Sequence, residues 1–124
     1  MITGKFPNLR LRRSRKYAWS RRLVEENSLS SNDFILPIFL INGKNKKQSI
    51  DSMPGVYRYT LDKLGIIIDK AIKNKLPMVA LFPHTQKKKK NILGTEALNE
   101  DNLVCQAIQF IKKRFKNEIG IMCD

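Results

Sequence analysis

The side chains that could do chemistry in this sequence are few. His84 is the only histidine, and Cys105 and Cys123 stand eighteen positions apart, so a set of four zinc ligands cannot be assembled from them. The six glycines are scattered and form neither of the two common phosphate-binding loop patterns. A lysine that forms a Schiff base needs a desolvated setting, yet every lysine here stands in a polar run or on a wet helix face. None of them is a credible nucleophile.

The remaining candidates are defined by position, because function in parallel α/β proteins gathers at the carboxyl ends of the strands. In this sequence those ends fall at Asn42, His84 and Asp124. Asp124 is the best catalytic candidate, since a carboxylate directly after a buried strand stands over the mouth of the sheet; the alternative is a solvated chain end. His84 fits a loop position better than an acid–base role. We expect Cys105 to be a core residue and Cys123 to be structural.

Three short apolar runs must position these ends: residues 34–41 (FILPIFLI), 78–82 (MVALF) and 119–123 (IGIMC). They are apolar on both faces, which is typical of buried parallel strands, although Pro37 is awkward in a central strand. Two amphipathic helices lie between them, one capped by Thr60 and one by Asn99. A further short helix is predicted at residues 21–26, and residues 44–59 read as a long connection.

The order β-α-β-α-β predicts a parallel sheet with right-handed crossovers. A (β/α)₈ barrel takes about 250 residues, and this chain holds about three of its βα units. We therefore expect the front part of a TIM barrel, with residues 1–24 as a basic arm and residues 25–124 as a partial barrel cut after its third strand. Such an open piece exposes apolar surface, so we expect poor solubility or partial folding.

The net charge of +13 is distributed unevenly. Residues 1–24 hold eight basic and no acidic residues, and six of the eight arginines lie between Arg10 and Arg22. Arginines interleaved with Tyr17 and Trp19 could bind nucleic acid or another anionic surface, or they could bind an acidic face of a partner subunit. The residues alone do not decide between these partners. No apolar run approaches the ~20 residues of a membrane span, a secretory signal is not apparent, and two cysteines fit a reducing compartment.

Several segments, in this order along the chain, resemble successive signatures of one enzyme family. They are residues 9–15 (LRLRRSR), 23–39 (LVEENSLSSNDFILPIF), 52–58 (SMPGVYR), 80–83 (ALFP) and 94–103 (GTEALNEDNL). The resemblance is to porphobilinogen synthase, also called delta-aminolevulinic acid dehydratase, and it covers nearly the whole chain from about residue 9. The Ser-Met-Pro-Gly-Val segment and the Leu-Ser-x-x-Asp stretch are its most specific pieces.

This resemblance implies a cytoplasmic enzyme that condenses and dehydrates two molecules of 5-aminolevulinate to porphobilinogen, within haem and tetrapyrrole synthesis. It also implies a homo-octamer in which the arm wraps a neighbouring subunit; membrane and nucleic-acid partners are not expected. The arm residues concerned are Arg10, Arg12, Arg13, Arg15 and Trp19.

For the site, the resemblance places Asp124 at the family's active-site aspartate after the third strand. It implies zinc or magnesium, two Schiff-base lysines, and arginines that hold the substrate carboxylates. The metal-binding segment, these lysines and these arginines all fall beyond this chain. Cys123 matches no metal-ligand position, and Asn42 stands where many members carry an acidic residue. We therefore expect this chain to be inactive alone.

Overall fold

The computed structural model describes residues 4–9 and 12–123 of the 124-residue chain. Within them it contains three α-helices, a five-stranded sheet and several short 3₁₀ turns. The helices are α1 (Ala18–Leu23), α2 (Leu61–Lys73) and α3 (Leu103–Phe115). The strands are β1 (Ile35–Leu40), β2 (Lys47–Ser49), β3 (Tyr57–Tyr59), β4 (Met78–Pro83) and β5 (Gly120–Cys123).

The main strands follow one another across the sheet in chain order. The sheet is ordered β2-β3-β1-β4-β5, and β1, β4 and β5 are parallel neighbours. The crossover helices α2 and α3 pack on the same face and contact each other. This singly wound arrangement is that of a (β/α)₈ barrel, because a doubly wound sheet reverses its strand order and has helices on both faces.

One core lies between the sheet and the two crossover helices. Each helix contributes apolar residues spaced three or four positions apart, which places them on one face. From α2 these are Leu64, Ile68 and Ala71, and from α3 Leu103, Ala107, Ile111 and Phe115. They pack against Ile38, Leu40, Val79 and Leu81 of the sheet. Each fully buried aliphatic side chain contributes about 1.5–3 kcal/mol relative to exposure.

The opposite face of the sheet has no helix over it within the described residues. Its side chains are the alternate residues of β1, β4 and β5, and they are apolar as well. Ile35 and Met122 remain 45% and 47% exposed, and Phe39 and Phe82 stack with ring centroids 5.4 Å apart. The prediction that the strands are apolar on both faces is therefore correct, but in this structure only the helix side is covered.

Pro37 is accommodated in β1 because it faces an unpaired part of the strand. The His84 N–H donates to the Leu40 carbonyl at 2.8 Å, whereas the Ile41 N–H donates to the Tyr59 carbonyl at 2.9 Å. Even-numbered residues of β1 therefore bond to β4 and odd-numbered ones face the other way. On that side β3 reaches only the last two residues of β1, so the missing N–H of Pro37 leaves no described partner unsatisfied.

The connection predicted between β1 and α2 contains two strands that the sequence did not reveal. β2 and β3 pair antiparallel, and β3 adds to the carboxyl half of β1 in parallel. Lys47 Nζ lies 3.8 Å from the Tyr57 ring centroid across this hairpin. The three residues of β2, Lys47–Ser49, are all polar and exposed, so they lack the alternation that predicts a strand.

The predicted helix at residues 21–26 is also displaced. α1 begins after Tyr17, because the Ser20 hydroxyl both donates to the Tyr17 carbonyl at 3.0 Å and accepts from the Tyr17 N–H at 3.3 Å. These reciprocal bonds start the helix three residues earlier than predicted. Among the described helices, none has the length and hydropathy needed to cross a lipid bilayer.

Candidate functional site

A cleft of about 320 Å³ lies at the carboxyl ends of β1 and β4, beside the first turn of α3. Its floor is apolar and its rim is polar. The floor includes Pro83, Leu103 and Val104, and the rim includes Asn42, His84, Thr85, Lys89 and Glu96. Two of the three strand ends predicted to carry function, at Asn42 and His84, are therefore brought to one cavity.

An ion pair joins the loop after β4 across this cleft. Lys89 Nζ donates to Glu96 Oε1 at 2.7 Å, and this hydrogen bond is the largest cause that lowers the pKa of Glu96. The side chains are 41% and 23% exposed, so the pair is a surface contact worth little stability. It joins residues 89 and 96 on the rim of the cleft. The sequence analysis placed Lys89 only in a polar run.

The first turn of α3 is capped by Asn102, not by Asn99 as predicted. Asn102 Oδ1 accepts from the Cys105 N–H at 2.8 Å, which satisfies a free amide at the helix start. Asn99 stands one turn earlier, where its Oδ1 accepts from the Asp101 N–H at 3.0 Å. Cys105 is half-buried and lines the cleft, so the prediction of a core position is wrong.

Thr60 shows a similar difference. It occupies the cap position of α2, but its hydroxyl donates to the Lys46 carbonyl at 3.2 Å and accepts from the Lys46 N–H at 3.0 Å. The residue thus ties the start of α2 to the β2 side of the hairpin. Thr60 is fully buried, which explains why this bond replaces a solvent-facing cap.

The end of β5 carries the other predicted residues. Cys123 is an exposed free thiol, and partial burial, followed by the charge of Cys105, raises the pKa of Cys123. A raised pKa makes a thiol a weaker nucleophile, and the structural role expected of Cys123 stays a prediction. Asp124, the predicted catalytic carboxylate, lies outside the described residues.

A second feature of this edge lies on the uncovered face and was not predicted. Arg58 of β3 is in register with Phe39 of β1, and Phe39 is in register with Phe82 of β4. Residues paired in register project from the same face of a sheet, so the three form one row. Leu40, the neighbour of Phe39, points into the helix-side core, which assigns the row to the opposite face.

Apart from the buried Ser20, the predicted arm is solvent-exposed where the structure describes it. Arg12, Arg13 and Arg15 are exposed, and Trp19 is 62% exposed with its ring stacked on Tyr17 at 6.0 Å between centroids. Arg10 lies outside the described residues. An exposed cation and aromatic surface of this kind fits a contact with another molecule.

The described residues contain no group of three histidine, cysteine or acidic side chains that could hold a metal ion. The only histidine, His84, is exposed on the rim, and the nearest acidic side chain in the cleft, Glu96, is already paired with Lys89. This donor set does not fit a zinc or magnesium centre.

Comparison with known proteins decides the family. The family profile described as delta-aminolevulinic acid dehydratase matches residues 8–124, which is almost the entire chain. The chain belongs to the delta-aminolevulinic acid dehydratase family. The resemblance noted in the five sequence segments is thereby confirmed.

Dehydratases from distant organisms are similar to the chain. The delta-aminolevulinic acid dehydratase of Bradyrhizobium diazoefficiens is 48% identical over 116 residues, which are 94% of this chain and 33% of that protein. That of Chlamydia pneumoniae is 40% identical over 106 residues, or 86% of this chain and 32% of the relative. The chain thus spans about a third of the length of the dehydratases that it matches.

A solved dehydratase shares the fold. The crystal structure of delta-aminolevulinic acid dehydratase (porphobilinogen synthase) from Toxoplasma gondii, in complex with the reaction product porphobilinogen, superimposes with a TM-score of 0.83 at 29% identity. The match covers 94% of this chain and 32% of that one. The predicted fold class, the first part of a TIM barrel, is confirmed.

Proposed function

We propose that this chain forms the first three strands of a barrel that condenses two molecules of 5-aminolevulinate to porphobilinogen, and that it is inactive by itself. The proposal rests on the 48% identity with the Bradyrhizobium dehydratase over 94% of the chain. We propose that the isolated chain is inactive because it spans only 33% of that enzyme. The uncovered apolar face of β1, β4 and β5 is the surface that the other strands of a barrel would enclose.

Within that reaction we propose Asp124 as an active-site carboxylate. The proposal is drawn from its place in the sequence, directly after the last residue of β5, and from the family resemblance. A carboxylate at the end of a barrel strand can accept or donate a proton in the closed site. His84 and Asn42 line the rim of the cleft, and we assign them no catalytic role.

A chimera tests the proposal. In the Bradyrhizobium dehydratase, the matched third is replaced by residues 8–124 of this chain, and porphobilinogen formation from 5-aminolevulinate is measured. We expect the chimera to be active, the 124-residue chain alone to give no product above background, and Asp124→Asn in the chimera to lower kcat by about 100-fold or more. Asp101→Asn, on the exposed loop before α3, is the matched control and should retain activity.

The outcomes separate the parts of the proposal. A folded but inactive chimera would contradict the function. Product from the chain alone would contradict its inactivity, and an active Asp124→Asn chimera would remove Asp124 from the site.

A metal ion, zinc or magnesium, belongs to this proposal through the family resemblance alone. Because the described residues do not fit a metal centre, no step of the reaction is assigned to a metal held by them. A cytoplasmic location likewise stays a prediction.

We also propose that the arm contacts a neighbouring subunit in a homo-oligomer, an octamer by family resemblance. The exposed Arg12, Arg13, Arg15 and Trp19 support a contact surface of this kind, and Arg10 is included from the sequence. The nucleic-acid alternative gains no support from the dehydratases that match the chain, arm included from residue 8. The sedimentation behaviour of the chimera with and without residues 8–19 tests the arm.

A further inference from the structure

We propose that Cys105 and Cys123 form a reversible disulfide when the chain meets a peroxide, and that this bond ties the end of β5 to the first turn of α3. They are the two cysteines of the sequence, and both are free thiols in this structure. The bond itself does not depend on the proposed function, although it would restrain the backbone directly before Asp124, the carboxylate proposed for catalysis.

Cys123 belongs to the face of the sheet that the helices cover. It is in register with Leu81 of β4, and residues paired in register project from the same face. Leu81 is fully buried in the core between the sheet and the helices. Ile121, two residues before Cys123 in β5, packs against the same core, as the alternation of a strand requires. Cys123 therefore continues this row at the carboxyl edge of the sheet.

Cys105 lies at the same edge, on the side of α3 that is turned toward β5. It lines the cleft together with Pro83, the last residue of β4. Phe110 marks the side of α3 that faces α2, because a Cβ added at Gly65 of α2 would stand 3.6 Å from it. Cys105 precedes Phe110 by five residues, which is a rotation of about 140° around the helix, away from α2. Since α3 connects β4 to β5 at the end of the order β1-β4-β5, that side is the side of β5.

The two thiols are neighbours that a small oxidant can reach. Partial burial, followed by the charge of Cys105, raises the pKa of Cys123, and the second cause acts only at short range. Cys105 is half-buried in the cleft and Cys123 is exposed. A disulfide requires a Cα separation of about 4.4–6.8 Å, and both residues stand at the ends of their elements, where the backbone adjusts most easily.

The oxidation balances with hydrogen peroxide as the oxidant. The thiolate of one cysteine attacks a peroxide oxygen, which breaks the O–O bond, forms a sulfenic acid and releases hydroxide. The second thiol attacks the sulfenic sulfur, so that the S–S bond forms and the S–O bond breaks. The two thiol protons leave with the two oxygens, and two thiols and one hydrogen peroxide give one disulfide and two water molecules. A thiol reductant such as glutathione reverses the bond by exchange.

The test measures how strongly the fold favours this bond. The chain is equilibrated with reduced and oxidised glutathione at graded ratios, in buffer and in urea. The disulfide is quantified by the loss of two hydrogens from the intact mass and by the linkage of tryptic peptides 91–112 and 117–124. We expect the folded chain to favour the disulfide at least about 10-fold more than the urea-unfolded chain does. Hydrogen peroxide in buffer should form the same bond, and dithiothreitol should remove it.

A matched control moves one thiol by a single residue. Cys105→Ser combined with Gln106→Cys places the thiol about 100° further around α3, on its exposed face, and leaves the loop in the unfolded chain almost the same length. This variant should lose the preference of the folded state, with its far-ultraviolet circular dichroism unchanged. Three results would each overturn the inference: a folded chain with no more preference than the urea-unfolded one, an equal preference in the control, or a peroxide product that links two copies of the chain through Cys123.

Discussion

At the scale of single residues, Asp62 at the start of α2 holds the loop between β1 and β2. The Asn45 N–H donates to both carboxylate oxygens, at 3.0 and 3.1 Å. The neighbouring Thr60 hydroxyl is the largest cause of the lowered pKa of Asp62, and the Asn45 N–H adds to it. The Asn45 backbone has a φ of 52°, in the left-handed region where asparagine is enriched among residues other than glycine.

The lowered pKa of Asp62 gives a test by amide exchange. A carboxyl with a depressed pKa makes its contribution above the unfolded pKa and loses it as the pH falls through the folded pKa. Protection of the Asn45 amide, relative to its intrinsic exchange, should therefore drop in acid. Asp62→Asn should reduce that protection about threefold at neutral pH and remove its acid dependence. Asp51→Asn, on an exposed turn, serves as the control; equal protection in wild type and Asp62→Asn would contradict the assignment.

Residue-level prediction from the sequence succeeded where one side chain has one available partner and failed where several compete. Thr60 was correctly placed at the start of α2, yet its hydroxyl bonds to the backbone of Lys46, fourteen positions away, instead of capping a backbone amide of the helix. Asn99 and Asn102 are both good caps, and only the final turn geometry selects Asn102. The Arg58 row could not be predicted, because it depends on the register of β3 against β1.

At the scale of elements, Arg114 of α3 reaches across Gly65 of α2 and joins the two helices. Arg114 Nη2 donates to Asp69 Oδ2 at 3.0 Å, and a Cβ added at the buried Gly65 would stand 2.5 Å from Arg114 Nη1. The nearest Phe110 atom, at 3.6 Å, is in ordinary contact distance. An alanine at Gly65 would therefore displace only the guanidinium, which is flexible and exposed.

This contact predicts that one substitution changes stability differently in two backgrounds. Gly65→Ala gains about 1 kcal/mol of helix propensity, which the displaced Arg114–Asp69 pair, worth up to about 1 kcal/mol, should offset. Gly65→Ala should therefore be nearly neutral in the wild type and stabilising by about 1 kcal/mol in an Arg114→Ala background. Urea unfolding of the four proteins of this double-mutant cycle measures the coupling, and equal effects in both backgrounds would contradict the contact.

The sequence predicted the long elements well and the short ones poorly. β1, β4 and β5 lie within one residue of their predicted bounds, and α2 and α3 begin within three residues of the starts that their predicted caps imply, since each element carries its own hydrophobic pattern. β2 and β3 are three residues long, and their pairing depends on partners elsewhere in the chain. α1 lies in an arm that contributes no residue to the buried core cluster, so hydrophobic periodicity could not fix its start.

At the scale of the whole molecule, the two faces of one sheet differ in what covers them. Two adjacent residues of β5 show this difference. Ile121 packs against the helix-side core, whereas Met122 is 47% exposed on the open face. The sequence showed that both faces are apolar and predicted right-handed crossovers, but it did not show which alternate residues of each strand face the two helices. An apolar sheet face left open in water favours self-association.

That difference predicts opposite effects of the same substitution at neighbouring positions. Met122→Glu should reduce self-association of the chain in sedimentation velocity, and lower its binding of an apolar dye, while the far-ultraviolet circular dichroism is retained. Ile121→Glu should destabilise the fold by several kcal/mol, because it places a charge against the core cluster without a partner. If Met122→Glu unfolds the chain, or if it leaves association unchanged, the open face is not the surface through which copies of the chain associate.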